Sequence, residues 1–267
     1  VQLPDAPTCS VRAILNEALG MQLASELDDN EIAIIGGRFR DISALVKHVQ
    51  SGVAPKEAVK RLLAAAELTL RGNFTSKGQP DVHWTRCQLW LAIKLLAAAG
   101  PSGAVPLEIF SWSVFRGDEL ALQSMSRSGL IAIQADTVGN RFVVTAGSPL
   151  LSAAFRRWVG MPATAALLDL EVAKEDVQRE AKLCVDYEEQ LTRLHSLEGM
   201  TDDGYFPWLR SFLFDTMPEA VSRREAQLLA LIEEQHKKLA TAHAARRTAL
   251  GVLQRLKAEI GKAEIGT

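Results

Sequence analysis

The sequence lacks the usual signatures of catalysis. No G-x-x-x-x-G-K-S/T run occurs, so no glycine-rich loop wraps phosphates with a lysine set against them. G-x-G-x-x-G, H-E-x-x-H, G-x-S-x-G and C-x-x-C are also absent, which removes the common dinucleotide, zinc-protease, serine-hydrolase and dithiol patterns. Cysteine is sparse. Cys9, Cys87 and Cys184 are an odd, widely spaced set, which argues against a disulfide framework. The five histidines share no ligand spacing; His83 and Cys87 lie four apart on one helix face, but a metal site needs three or four converging donors. Charge of one sign is lacking too: 30 basic and 32 acidic residues leave a net charge of −2, which argues against bulk electrostatic capture of nucleic acid. The most apolar stretch, Leu89 to Ala99, is interrupted by Lys94 and falls short of the roughly 20 residues a membrane span needs. The chain starts at Val1 without a signal-peptide pattern, so it reads as a processed protein or a piece of a longer one.

What is present is helical periodicity. Apolar residues at Ile14, Leu15, Ala18, Leu19, Leu23 and Leu27 predict a helix with Ser10 as its cap. Asp28-Asp29-Asn30 caps a short helix that ends at Gly36-Gly37, where a left-handed stop suits glycine. The next helix runs from about Arg38 to Gln50, with Phe39, Ile42, Leu45, Val46 and Val49 on one side. Pro55 opens another, with Val59, Leu62, Leu63, Ala66 and Leu70 as its core face. A polar loop, GNFTSKGQPD, separates it from an apolar helix over about Val82–Ala99. Residues 1–100 therefore predict a small all-α bundle.

Residues 101–160 change character. Val105-Pro106-Leu107 reads as a short extended piece, followed by helices at about Leu107–Ser113 and Asp118–Ser128. LIAIQAD and RFVVTA bracket a Gly139-Asn140 turn and predict a β-hairpin; a helix from Ser148-Pro149 to Val159 closes the segment. Helix, helix, hairpin, helix is a winged-helix pattern. In residues 161–267, Leu170, Ala173, Val177, Cys184, Tyr187, Leu191 and Leu194 step by threes and fours, as do Leu228, Ile232, Leu239, Ala242, Ala249, Leu253, Leu256 and Ile260. These are the seams of a coiled-coil-like antiparallel helical hairpin, linked over 198–218. Polar residues Glu180, Gln235 and Arg246 fall on the seam and set its register at some cost in stability. The competing reading packs these helices on the winged helix or on a partner.

The most informative segment is IGGRFRDISALVKHVQSG, Ile35 to Gly52. Gly36 and Gly37 break the chain, and Arg38 and Arg40 open the following helix. Free amides at a helix start favour an anion, and two arginines add charge and forked donors. Gly36, Gly37, Arg38 and Arg40 are thus candidates for contact with a nucleotide phosphate. The competing reading is a solvated first turn with Arg40 paired to Asp41 or Glu31.

The same segment resembles the glycine-glycine-arginine region of the mitochondrial escape protein family. The resemblance continues through WTRCQLWLAIKLLA, VPLEIFSWSVFRGDELALQSMSRSGLIAI and GNRFVVTAGSPLLSAAFRRWV, and the long end helices look like the family's tail. It implies an inner-membrane protein with an AAA+-like ATPase domain, tied to mitochondrial DNA maintenance and inner-membrane organisation. Residues 1–100 would be the ATPase's helical lid, with Arg38 facing the nucleotide. Phosphate-binding motifs lie upstream in such proteins, so ATP and Mg would be held only through a missing domain, and membrane contact would come through the parent protein.

Three functional readings follow. The chain is the lid and assembly region of an AAA+-type ATPase, unable to hydrolyse ATP alone; or a scaffold subunit derived from a degenerate ATPase; or a winged-helix nucleic-acid binder. The last is disfavoured, because the Asp118–Ser128 helix offers Glu119 against a single Arg127, with Arg141, Arg156 and Arg157 elsewhere. Protein partners are expected at the hairpin, where Tyr205, Phe206 and Trp208 in the link either anchor a partner or plug the hairpin end. Homo-oligomerisation is left open.

Overall fold

The structure, a computed structural model, describes residues 8–75, 82–100, 103–136, 141–202 and 218–265. It is mainly α with one small antiparallel sheet, as the periodicity predicts. The chain divides into two compact units, Val1–Met161 and Pro162–Thr267.

The first unit opens with α1 (Thr8–Leu19) and α2 (Met21–Ala24). The single helix expected here is broken because Gly20 adopts φ 83°, and Ser10 lies inside α1 rather than capping it. Next come α3 (Asp29–Ile35), α4 (Phe39–Gln50) and α5 (Pro55–Thr75). Asp28 caps α3 through a reciprocal box: its side chain accepts from the Glu31 amide at 2.8 Å, and its own amide donates to Glu31 at 2.9 Å. An Arg12–Asp29 ion pair at 2.6 Å joins α1 to α3. α5 runs one turn further than its sequence suggested. Gly72, Asn73 and Phe74 are helical rather than looped, and buried Phe74 stacks on Trp158 with ring centroids 5.1 Å apart.

α6 (Arg86–Ala98) starts four residues later than expected, at a Thr85–Gln88 capping box. The short β1 (Val105–Pro106) follows, then α7 (Leu107–Phe110), a π-helical turn over Ser111–Phe115, and α8 (Glu119–Arg127) capped by Asp118. β2 (Ile131–Ala135) and β3 (Phe142–Ala146) pair antiparallel in the register Ile131↔Ala146 to Ala135↔Phe142. β1 joins the other side of β3, so the sheet order is β1-β3-β2. Two residues carry no alternation, which is why only an extended piece was legible at Val105.

α9 (Pro149–Val159), capped by Ser148, is the element on which this unit is built. It packs against α3, α5, α6 and β3. Leu150, Ala154, Phe155 and Trp158 are its buried face. Arg157 adds an ion pair to Glu67 of α5 at 3.2 Å. The bundle of α1 to α5 and the sheet module thus share a helix that lies about 100 residues downstream of the first turns it covers.

The second unit is α10 (Pro162–Asp202) and α11 (Pro218–Ile265). Their pairing is antiparallel: Glu180 meets Gln235, whereas His195, further along α10, meets Glu225, earlier in α11, at 3.1 Å. The seam residues Ala173, Cys184 and Leu228 are buried. Burial raises the Cys184 thiol above its ordinary range, and the nearby Glu188 and Glu180 add to this. Glu180 and Gln235 are also buried, and the Gln235 amide donates to one Glu180 oxygen. Arg179 donates to the other at 3.0 and 3.1 Å and also reaches Asp176. Burial works against the Arg179 charge, but these carboxylates outweigh it and raise its pKa. Arg246, placed on the seam by spacing, is instead exposed.

The polar layer predicts opposite signs for single and double replacements. Gln235→Leu removes an amide donor from a buried carboxylate and is expected to destabilise the hairpin by about 2–3 kcal/mol. Replacing Glu180 and Gln235 together by leucine removes the desolvated polar pair and is expected to be neutral or stabilising by about 1 kcal/mol. Thermal unfolding of both variants checks this.

Candidate functional site

The Gly36–Arg40 turn is built from two helix ends. The Gly36 amide donates to the Ile32 carbonyl at 2.9 Å and closes α3. Gly36 holds φ 66°, a conformation that strains any residue with a Cβ. A Cβ there would also lie 2.2 Å from Cγ of Pro149, the first residue of α9. The stop is therefore a docking point: the turn presses directly on the proline ring that starts α9. Gly37 is half-buried.

Arg38 caps α4 in an extended conformation, without a side-chain bond to the first-turn amides. Its carbonyl accepts from the Asp41 and Ile42 amides, both at 3.0 Å. Arg38 is half-buried and engaged by a neighbouring group. Arg40 extends into solvent, its side chain 86% exposed, with Nε 3.6 Å from Asp41 Oδ1. Asp41 is buried, and among the described residues its Oδ2 accepts no hydrogen bond. This carboxylate sits in the first turn of α4 and complements the helix dipole there, so it opposes an anion approaching the same amides. Phe39 was expected on the core face but is 78% exposed, between the two arginines. The turn thus presents Phe39 and Arg40 outward and keeps Arg38 closer to the fold.

The other predicted positions are dispersed. Tyr205, Phe206 and Trp208 lie outside the described residues, as does the Gly139-Asn140 turn. On α8 the outward residues are Glu119, Leu120, Gln123 and Arg127. Arg156 and Arg157 are exposed on α9, where Arg157 is held by Glu67. Two further aromatics, Trp112 and Phe142, are 70% and 60% exposed. Trp112 belongs to the π-helical turn, a local irregularity that a helical pattern does not announce. Among the described residues no cluster of three or more histidine, cysteine or carboxylate side chains is set to hold a metal, and no helix is long and apolar enough to cross a membrane.

The described residues define a mainly helical protein in which a glycine–proline contact joins a helical bundle to a small three-stranded sheet module, with a long helical hairpin as a separate unit. The chain belongs to the RNA12 protein family, whose model matches residues 11–197. It is 28% identical over 203 residues to mitochondrial escape protein 2 of Aspergillus oryzae, covering 74% of this chain and 23% of that protein. Mitochondrial escape protein 2 of Neosartorya fischeri is 30% identical over 179 residues, 65% of this chain and 20% of that one. The mitochondrial escape protein 2 homolog of Dictyostelium discoideum is 26% identical over 208 residues, 74% of this chain and 23% of that one. The matches thus span about a quarter or less of the length of these relatives. No solved structure matches the chain.

Proposed function

We propose that this chain is the lid and assembly region of a mitochondrial, inner-membrane-associated AAA+-type ATPase, and that it passes nucleotide state from the Gly36–Arg40 turn to its helical hairpin and protein partners. The observation that carries this reading is the contact between Gly36 and Pro149. A displacement of the arginine-bearing turn has no slack at that point and is transmitted to α9, hence to α5, α6 and β3, as one rigid movement. In this reading ATP and Mg are held by a domain outside the residues matched here, and Arg38 meets the nucleotide from the lid side. The names of the relatives support the mitochondrial placement, and a role in mitochondrial DNA maintenance is part of the proposal.

The sheet module reads as a winged helix. The order α6, β1, α7, α8, β2, β3 supports this, as does the pairing of β1 with β3. Its outward surface, with Trp112 and Phe142 exposed and one cation on α8, suits a protein partner better than a phosphate backbone. The scaffold reading keeps the same surfaces and drops the nucleotide.

In the full-length protein, Arg38→Ala is expected to lower ATP turnover at least about tenfold, as loss of a forked charged donor does. Arg40→Ala, at a solvated position, is expected to change it less than about twofold. Melting curves show whether each variant is folded. Unchanged turnover and ATP affinity in a folded Arg38→Ala protein would remove the lid reading and leave the scaffold.

A further inference from the structure

Charge is unevenly spread along α11. From Gln235 to Ala258 there is no acidic residue, although the chain as a whole carries a slight acidic excess. The run holds six full cations: Lys237, Lys238, Arg246, Arg247, Arg255 and Lys257. The first two are neutralised within the helix, Lys237 by Glu233 and Lys238 by Glu234, each at 2.7 Å. These pairs raise both lysines and lower both glutamates. The other four have no carboxylate within ion-pair reach among the described residues. Four acidic residues of α10 are engaged elsewhere: Asp176 and Glu180 take Arg179, Glu188 faces His236 at 3.6 Å, and Glu189 takes Arg193.

Helical spacing gathers part of this surplus on one flank. His243, Arg247, Leu250, Gln254 and Lys257 recur every three or four residues, with Arg246 beside them. There the surface forms an open groove of about 420 Å³ lined by His243, Arg246, Arg247 and Leu250. Two guanidiniums and an imidazole within about one helical turn supply a dense set of donors and contain no acceptor other than a neutral imidazole nitrogen. The groove also lies outside residues 11–197, the segment matched by the family model.

We infer that this groove binds a phosphate group, with Arg246 and Arg247 as its donors, His243 at its edge and Leu250 as an apolar floor. The chemistry is that of a phosphate ester or anhydride, supplied either by a soluble compound or by a lipid headgroup. Arginine suits it because the planar fork meets two phosphate oxygens at once. The site is independent of the Gly36–Arg40 turn and of any nucleotide bound there.

The test uses the whole chain, with inorganic pyrophosphate followed by calorimetry and phosphatidylcholine vesicles with and without phosphatidylglycerol followed by co-sedimentation. Arg246→Gln/Arg247→Gln is expected to weaken binding roughly thirtyfold. Lys237→Gln/Lys238→Gln, which removes the same charge from paired positions of the same run, is expected to change it less than about threefold. Leu250→Glu, which adds a carboxylate to the groove and spares both arginines, is expected to weaken it by a factor similar to the arginine pair. Far-UV circular dichroism establishes that each variant keeps its helix. Pyrophosphate binding with this pattern identifies a soluble phosphate; the pattern seen only with the anionic vesicles identifies a headgroup. Binding of neither probe, or equal loss in the two double variants, would overturn the site.

Discussion

Gly147→Ala is expected to cost the first unit about 4 kcal/mol or more and to abolish or sharply lower its cooperative melting transition. Gly147 follows β3 and precedes the Ser148 cap of α9, and its amide donates to the Leu130 carbonyl at 2.8 Å. A Cβ at this position would sit 1.7 Å from the Gly129 carbonyl oxygen and 2.7 Å from its carbon. Both groups are backbone, so no side chain can rotate away. Gly129 has little freedom to yield, because it closes α8 at φ 76° and its amide is bonded to the Ser126 carbonyl at 3.0 Å. Relief therefore requires separating the exits of α8 and β3. That breaks the Gly147–Leu130 hydrogen bond and the Ile131↔Ala146 end of the ladder. Total stabilities of about 5–15 kcal/mol leave little room for such a loss. Calorimetry of the variant gives the answer; a fall in melting temperature of only a few degrees would mean that the exits of α8 and β3 can part without loss of the unit's packing.

Local signals in this chain were legible and distant ones were not. Asp28 announced its helix because a cap acts within three residues of itself, and Asp118 and Ser148, where two later helices were expected to begin, prove to be their caps. The strands around residues 131–146 announced themselves through β-branched content, and Pro55 through its place at a helix start. The hairpin seams were visible because Ala173, Cys184 and Leu228 belong to a repeat sustained over many turns. The failures have a common cause. Phe74 sat in a stretch of glycine, asparagine and serine that reads as a loop; its helix is held by Trp158, more than 80 residues away. Phe39 fits the apolar stripe of α4 by spacing yet faces solvent, while Asp41, which does not fit, is buried. β1 gained its identity only from β3.

The candidate site divides in the same way. That Gly36 stops a helix was readable from Gly36-Gly37 alone, and a positive φ is what the structure has. That Arg38 and Arg40 differ was not readable, since a helix start treats neighbouring cations alike until the burial of each is known. Arg40 is the solvated member with a nearby carboxylate, and Arg38 is the half-buried one, so the nucleotide proposal rests on Arg38. The basic flank of α11 was written in the sequence as an acid-free run, but its salience depends on which cations are already paired, and that needed coordinates.

Gly36→Ala is expected to destabilise the first unit by about 3 kcal/mol, or roughly 6–12 °C in melting temperature for a unit of this size. Two penalties combine. A φ of 66° with ψ −169° is a region essentially reserved for glycine and costs an alanine about 1–3 kcal/mol. The added Cβ would also meet the Pro149 ring, 2.2 Å from Cγ, 2.7 Å from Cβ and 3.2 Å from Cδ. A proline ring cannot swing clear as a long side chain does, so α9 or the turn must move. Pro149→Ala separates the two penalties, because it removes Cγ and Cδ while the Ser148 cap keeps the helix start. In a double-mutant cycle, Gly36→Ala and Pro149→Ala together should be less damaging than their sum by about 1–2 kcal/mol, and the conformational penalty should survive. Additivity would mean that glycine is needed only for its backbone angle and that the turn is not mechanically joined to α9. The lid proposal would then lose its means of carrying a signal, however Arg38 behaves toward nucleotide.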